Sequence, residues 1–136
     1  MTEAEDAERP RLCVGIGMPA GILLDVWGGL FRDAFGVQPY LVGSATRGKD
    51  WRDVDVRAMC GPGEWARILP DVDPDEPGQW ACRPQWAALC LAVSVWARDA
   101  TGLPVDFQWQ TAAHANSKYP GFRDPLGIWV NDSRRA

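Results

Sequence analysis

Three aspartates in this chain are of the type and spacing that hold a divalent cation. Asp53 and Asp55 lie two residues apart in the run Arg52-Asp53-Val54-Asp55-Val56, and Asp106 stands between Val105 and Phe107. Residues i and i+2 of an extended strand project to one face, so the first two carboxylates point together while Val54 and Val56 point into a core. Just upstream, the apolar run Tyr40-Leu41-Val42 ends in Gly43-Ser44. Glycine lets a backbone approach a phosphate closely, and serine adds a hydroxyl and an N–H, so this turn suits the β- and γ-phosphates of a nucleoside triphosphate. Magnesium binds through one or two carboxylates plus substrate phosphates, which Asp53 and Asp55 offer beside that turn.

The segment Leu103 to Gln110 alternates with period two: Val105, Phe107 and Trp109 on one face, Asp106, Gln108 and Gln110 on the other. If this strand pairs beside the Asp53/Asp55 strand, Asp106 joins the cluster and a two-metal arrangement follows, with ions about 3.5–4 Å apart. Gln108 and Gln110 would then read a base or a second substrate, or form a plain solvated face. Arg47 and Lys49 lie beside the proposed phosphate turn, where cations offset triphosphate charge; a plain surface loop would also hold them. Trp51 could stack on a base or belong to the core. A second Asp-x-Asp, Asp71-Val72-Asp73, is followed by Pro74, Asp75, Glu76 and Pro77, which reads as an exposed acidic loop.

Taken together, Val42-Gly43-Ser44, Arg47-Gly48, Asp53-Val54-Asp55-Val56 and, some fifty residues on, Val105-Asp106-Phe107 resemble the nucleotidyltransferase superfamily related to DNA polymerase β, especially its small stand-alone minimal domains. The resemblance implies an α/β (α+β) nucleotidyltransferase-like fold, a small mixed sheet with packed helices. It also implies transfer of a nucleoside monophosphate from a nucleoside triphosphate such as ATP to an acceptor hydroxyl, with pyrophosphate released. In that reading Gly43 and Ser44 hold the phosphates with Arg47 and Lys49 nearby. Asp53, Asp55 and Asp106 are catalytic and bind magnesium or manganese, and Asp106 helps deprotonate the hydroxyl. Minimal members often work with a separate partner, so a partner protein or a homodimer is expected, with the acceptor unspecified. Arg52 stands where serine is often found, and the alternative it sustains is a module that binds a nucleotide or a protein without chemistry. A metal-dependent phosphoesterase is a third, weaker reading, because no histidine or lysine base lies near the carboxylates.

With 136 residues, the chain has room for one domain, assigned to residues 11–136 after an acidic arm at 1–10. A hydrophobic fraction of 46% with eight Trp argues for a packed core. The net charge of −4 argues against a surface devoted to nucleic-acid backbones. Cysteines at 13, 60, 82 and 90 form no Cys-x-x-Cys pair and, with His114 the single histidine, suggest no structural zinc site. Cys90 falls in an apolar helical pattern and reads as a small buried hydrophobe. No membrane-spanning run or signal peptide is visible, so a soluble cytoplasmic protein is expected.

The elements that must position these residues follow from periodicity. Pro19 to Phe35 carries two lanes at i+4 spacing, Ile22/Val26/Leu30/Ala34 and Leu23/Trp27/Phe31/Phe35, and reads as a helix covering the sheet. Strands are expected at Pro39–Val42 and Val54–Met59, and a short helix at Glu64–Leu69. A Pro- and Asp-rich loop is expected from Pro70 to Gly78, a strong helix at Pro84–Ala100, and a last helix at Thr111–Lys118. His114 at that helix start reads more readily as a capping or solvated residue than as an acid or base. Leu12 to Ile16 fits a strand or a lead-in equally.

Overall fold

The computed structural model describes residues 15–128. Helix α1 (Ala20–Phe35) is stopped by Gly36, left-handed at φ 69°, whose N–H donates to Arg32 O. Strand β1 (Pro39–Val42) follows, and a 3₁₀ turn (Gly43–Thr46) leads toward strand β2 (Val54–Cys60). The chain then makes α2 (Pro62–Ile68), a one-turn α3 (Pro77–Trp80) and the long α4 (Pro84–Thr101) before β3 (Val105–Thr111). Helix α5 (Ala112–Lys118) and a two-residue strand β4 (Asp124–Pro125) complete the described chain. The sheet is mixed, in the order β3-β2-β1-β4: β2 runs parallel to β3 and antiparallel to β1, and β4 pairs antiparallel with β1.

This is the small α+β architecture the periodicities predict, with strand and helix ends within a residue or two at most boundaries. The one-turn α3 falls at the end of the expected Pro-Asp loop, and β4, at two residues, is an addition to the expected strands. The Leu12–Ile16 question falls mostly outside the described residues; Gly15 and Ile16 lie in a turn. No described helix is long and apolar enough to cross a membrane.

Helices α1 and α4 share one face of the sheet. Trp27 and Phe31 of α1 pack on Phe107, Phe31 also meets Trp109, and both touch Trp96 of α4. Cys90, Val93 and Ala97 bury the inner side of α4. Burial pushes the Cys60 and Cys90 thiols up to about 12 and about 11, as expected of small core hydrophobes. Strand β3 is an edge of the sheet, and side chains of α4 satisfy its outer backbone groups. Ser94 Oγ accepts from Phe107 N–H at 2.9 Å, Trp86 Nε1 donates to Trp109 O at 2.8 Å, and Arg98 Nε donates to Val105 O at 2.9 Å. An edge covered in this way offers few free groups to another strand.

One expectation about α1 is corrected. The lane Leu24/Trp27/Phe31 faces the sheet, whereas Ile22, Val26, Leu30 and Ala34 face solvent together with Leu23. The helix is apolar on two sides, and the sheet covers only one.

The chain after α5 returns to pack against α1 through glycine. Gly127, at φ 89°, approaches the backbone so closely that a Cβ there would lie 2.5 Å from Gly29 Cα. Its N–H donates to the buried Asp25 carboxylate at 2.8 Å. Gly127→Ala combines left-handed strain with a backbone clash and is expected to cost about 3 kcal/mol in urea unfolding. A loss below about 1 kcal/mol would contradict this contact.

Candidate functional site

Parallel pairing of β2 with β3 sets Asp55 directly opposite Asp106. The same pairing places Arg57 opposite Gln108 and Met59 opposite Gln110, and all six share the sheet face turned away from α1 and α4. Adjacency of the two strands, assumed from the sequence, is therefore found.

Gly43 sits against this pair. Val42 is the antiparallel partner of Asp55, so the turn begins beside the carboxylate. Gly43 is left-handed at φ 77°, and a Cβ on it would come within 2.7 Å of Asp55 Oδ2. Only glycine fits both the conformation and the approach. Thr46 Oγ1 donates to Gly43 O at 2.6 Å and Arg47 N–H to Ser44 O at 3.1 Å, which closes the turn. Ser44 is half-buried, while Arg47 and Lys49 are exposed in the loop that follows.

Asp53 is less integrated than Asp55. It lies one residue before β2, is exposed, and acts on Asp55 electrostatically. Among the described residues no group of three His, Cys, Asp or Glu gathers closely enough to hold a metal ion. The preformed cluster of three carboxylates expected from the sequence is in this structure a close pair, Asp55 and Asp106, with Asp53 at its rim.

Arg57, which the sequence reading did not single out, lies between the pair. It is 3% exposed. Its Nη1 donates to Asp106 O at 2.7 Å and to Val56 O at 3.0 Å, which fixes the guanidinium on the backbone. Its Nη2 stands 3.5 Å from Asp106 Oδ2, 3.8 Å from Asp55 Oδ1 and 3.3 Å from Tyr119 Oη. The carbonyl bonds are short and the carboxylate contacts long, so the cation is held in place by the backbone while both carboxylates keep oxygens to offer. Tyr119 and Lys118 arrive from the end of α5, which crosses this face.

The Asp55 carboxyl is held above its ordinary 3.8. Burial is the main cause; Asp106 and Asp53 add to it, and Arg57 and Lys118 oppose it. A carboxyl raised on folding binds more protons in the native state than in the unfolded one. Its stabilising contribution is full below 3.8 and is lost as pH rises through the folded value. Asp55→Asn removes that loss, so the variant is expected to match or exceed the wild-type melting temperature at neutral pH. Its margin over the wild type should widen as pH rises from the acid range. Thermal unfolding across pH checks this, and a variant that loses ground as pH rises would reverse the sign.

Gln110 is buried and its Nε2 donates to Gln108 Oε1 at 3.1 Å, so Gln110 is not part of a solvated face, while Gln108 is half-buried. Trp51 packs on the core and donates from Nε1 to Gly15 O at 2.6 Å, the packing role of its two readings. Asp71 and Asp73 lie in an exposed turn in which Asp75 N–H donates to Asp73 Oδ1. His114 follows the Thr111 cap, which accepts its N–H, and its ring meets Trp80 edge-on at 5.2 Å. Burial, with Lys118 adding to it, holds His114 below its ordinary 6.5 and so favours the neutral ring. It lines a separate cavity of about 490 Å³ with Pro62, Trp65, Pro74 and Pro77, at the far ends of β2 and β3 from the aspartates.

Comparison with known proteins adds no relative: no family model, no curated protein and no solved structure matches the chain.

Proposed function

We propose that this chain is a nucleotidyltransferase, moving a nucleoside monophosphate from a nucleoside triphosphate to an acceptor hydroxyl with release of pyrophosphate. The observation that carries the reading is the register of Asp55 against Asp106 beside a glycine turn that reaches the Asp55 carboxylate. Two carboxylates on one face are a hard-oxygen donor set, and they fit a magnesium or manganese ion that arrives with its triphosphate. Asp55 and Asp106 would hold it, with Asp53 at the rim, and the bound ion would offset charge on the transferred phosphoryl group.

The chain's own groups do the rest. The Gly43-Ser44 turn holds the β- and γ-phosphates, and the exposed Arg47 and Lys49 draw the polyanion toward it. Arg57 keeps a fixed positive charge beside the carboxylates, and the exposed Lys118 adds to the positive potential at Asp55. Asp106 is the more open of the pair, its side chain 42% exposed against 25% for Asp55, and so is placed to take the acceptor's proton. Rate then comes from positioning and electrostatics. The acceptor enters from solvent, and the free thiols of Cys60, Cys82 and Cys90 accord with a reducing cytoplasm.

A second reading is favoured by Arg57. A guanidinium already standing between the carboxylates supplies part of the positive charge that an ion would bring, as suits a module that binds a nucleotide or a protein without turnover. Label transfer from α-labelled nucleoside triphosphates to acceptors in a cell extract, with magnesium or manganese, tests the first reading. Transfer by the wild type and not by the Asp53→Asn/Asp55→Asn variant supports it. Metal-dependent nucleotide binding with no transfer by either protein sinks it in favour of the second.

A further inference from the structure

The helical layer presents an uncharged aliphatic face to solvent. On α1, every exposed position from Gly21 to Leu30 is a large aliphatic: Ile22, Leu23, Val26 and Leu30, between 42% and 58% exposed. On α4, no exposed position before Arg98 is charged, and Leu91 and Val95 are 62% and 45% exposed. The helices meet through Trp27 and Phe31 on Trp96, so the two exposed sides belong to one layer.

These six side chains expose roughly 500 Å² of aliphatic surface, at the upper end of the largest patch found on ordinary monomers. With the alanines between them, the face approaches the ~800 Å² per partner of a standard interface. Its chemistry narrows what can cover it. A strongly charged partner finds no counter-charge here, and the matching surface is an equally uncharged aliphatic one, which a second copy of this chain carries. Each copy has a net charge of −4, and this face lets two copies approach without placing like charges in contact.

We propose that α1 and α4 form the interface of a symmetric homodimer, the face of one copy packing on the same face of the other. Asp55 and Asp106 lie on the opposite side of the sheet, so both copies keep their carboxylate pairs open to solvent. The inference does not depend on the nucleotidyltransferase reading.

Sedimentation or light scattering of the full chain at about 100 µM decides it. The expected mass is twice 15.0 kDa. Leu30→Glu and Leu91→Glu, each at an exposed position, should reduce it to the single-chain mass with an unchanged circular dichroism spectrum. Phe122→Glu, exposed but outside the helical layer, should leave the dimer intact. A wild-type mass of 15.0 kDa overturns the proposal, whatever else then covers the face. So does a dimer that survives both glutamate variants. The wild-type mass is read without any variant, so misfolding of one cannot rescue a failed result.

Discussion

Asp106→Asn is expected to lower label transfer by about a hundredfold or more while nucleotide affinity changes only a few fold. The Gly43-Ser44 turn follows β1 and is closed by its own hydrogen bonds, so it does not depend on the Asp106 side chain. Asp106 also gives Arg57 a short bond through its main-chain carbonyl, which asparagine retains. The variant therefore keeps the fold and the turn and loses one negative charge at the place where the proposed reaction would deliver the acceptor's proton. Titration of a fluorescent nucleotide, run beside the transfer assay, separates the two effects. Equal losses in affinity and turnover would instead make Asp106 a binding residue.

Arg57→Met is expected to be the most damaging single change to the fold around the site, at about 3 kcal/mol. Methionine approximates the length of the buried stem and removes the bonds that now run from the guanidinium to Asp106 O and Val56 O. The two carboxylates would also lose the charge between them, and Asp55, already raised, would move further up. Arg57→Lys keeps a charge without the planar fork and should fall between wild type and Arg57→Met. Urea unfolding of the three proteins gives the order. If Arg57→Met shifts the stability by less than about 1 kcal/mol, the guanidinium is not what holds the strands' carbonyls.

Much of this was legible in the residues, for a physical reason in each case. Period-two alternation located β2 and β3, and glycines after Phe35 and Thr101 marked where α1 and α4 stop. The Gly43-Ser44 turn and the three aspartates were readable because few residue types suit such places. Arg57 could have been read by the same rule that aligned Asp53 with Asp55, since it is two residues further along the strand. Lys118 and Tyr119 could not have been found that way, because only the fold-back of α5 over the sheet brings them to Arg57. On α1, both lanes are apolar, and periodicity alone does not say which one the sheet will cover. Strand β4, two residues including a proline, is too short to carry any period.

The parallel pairing has a consequence for how the protein is made. Arg57 and the Asp106 carbonyl that anchors it are separated by 49 positions, with the whole α2–α4 crossover between them. Such a contact forms only after a long loop has closed, and it contributes nothing to the chain's early collapse. A nascent chain on the ribosome that has not yet released β3 carries the Gly43-Ser44 turn and Asp55 without their counterpart. The candidate site is thus absent until β3 has joined β2, so any activity it has is a report that the long crossover has closed.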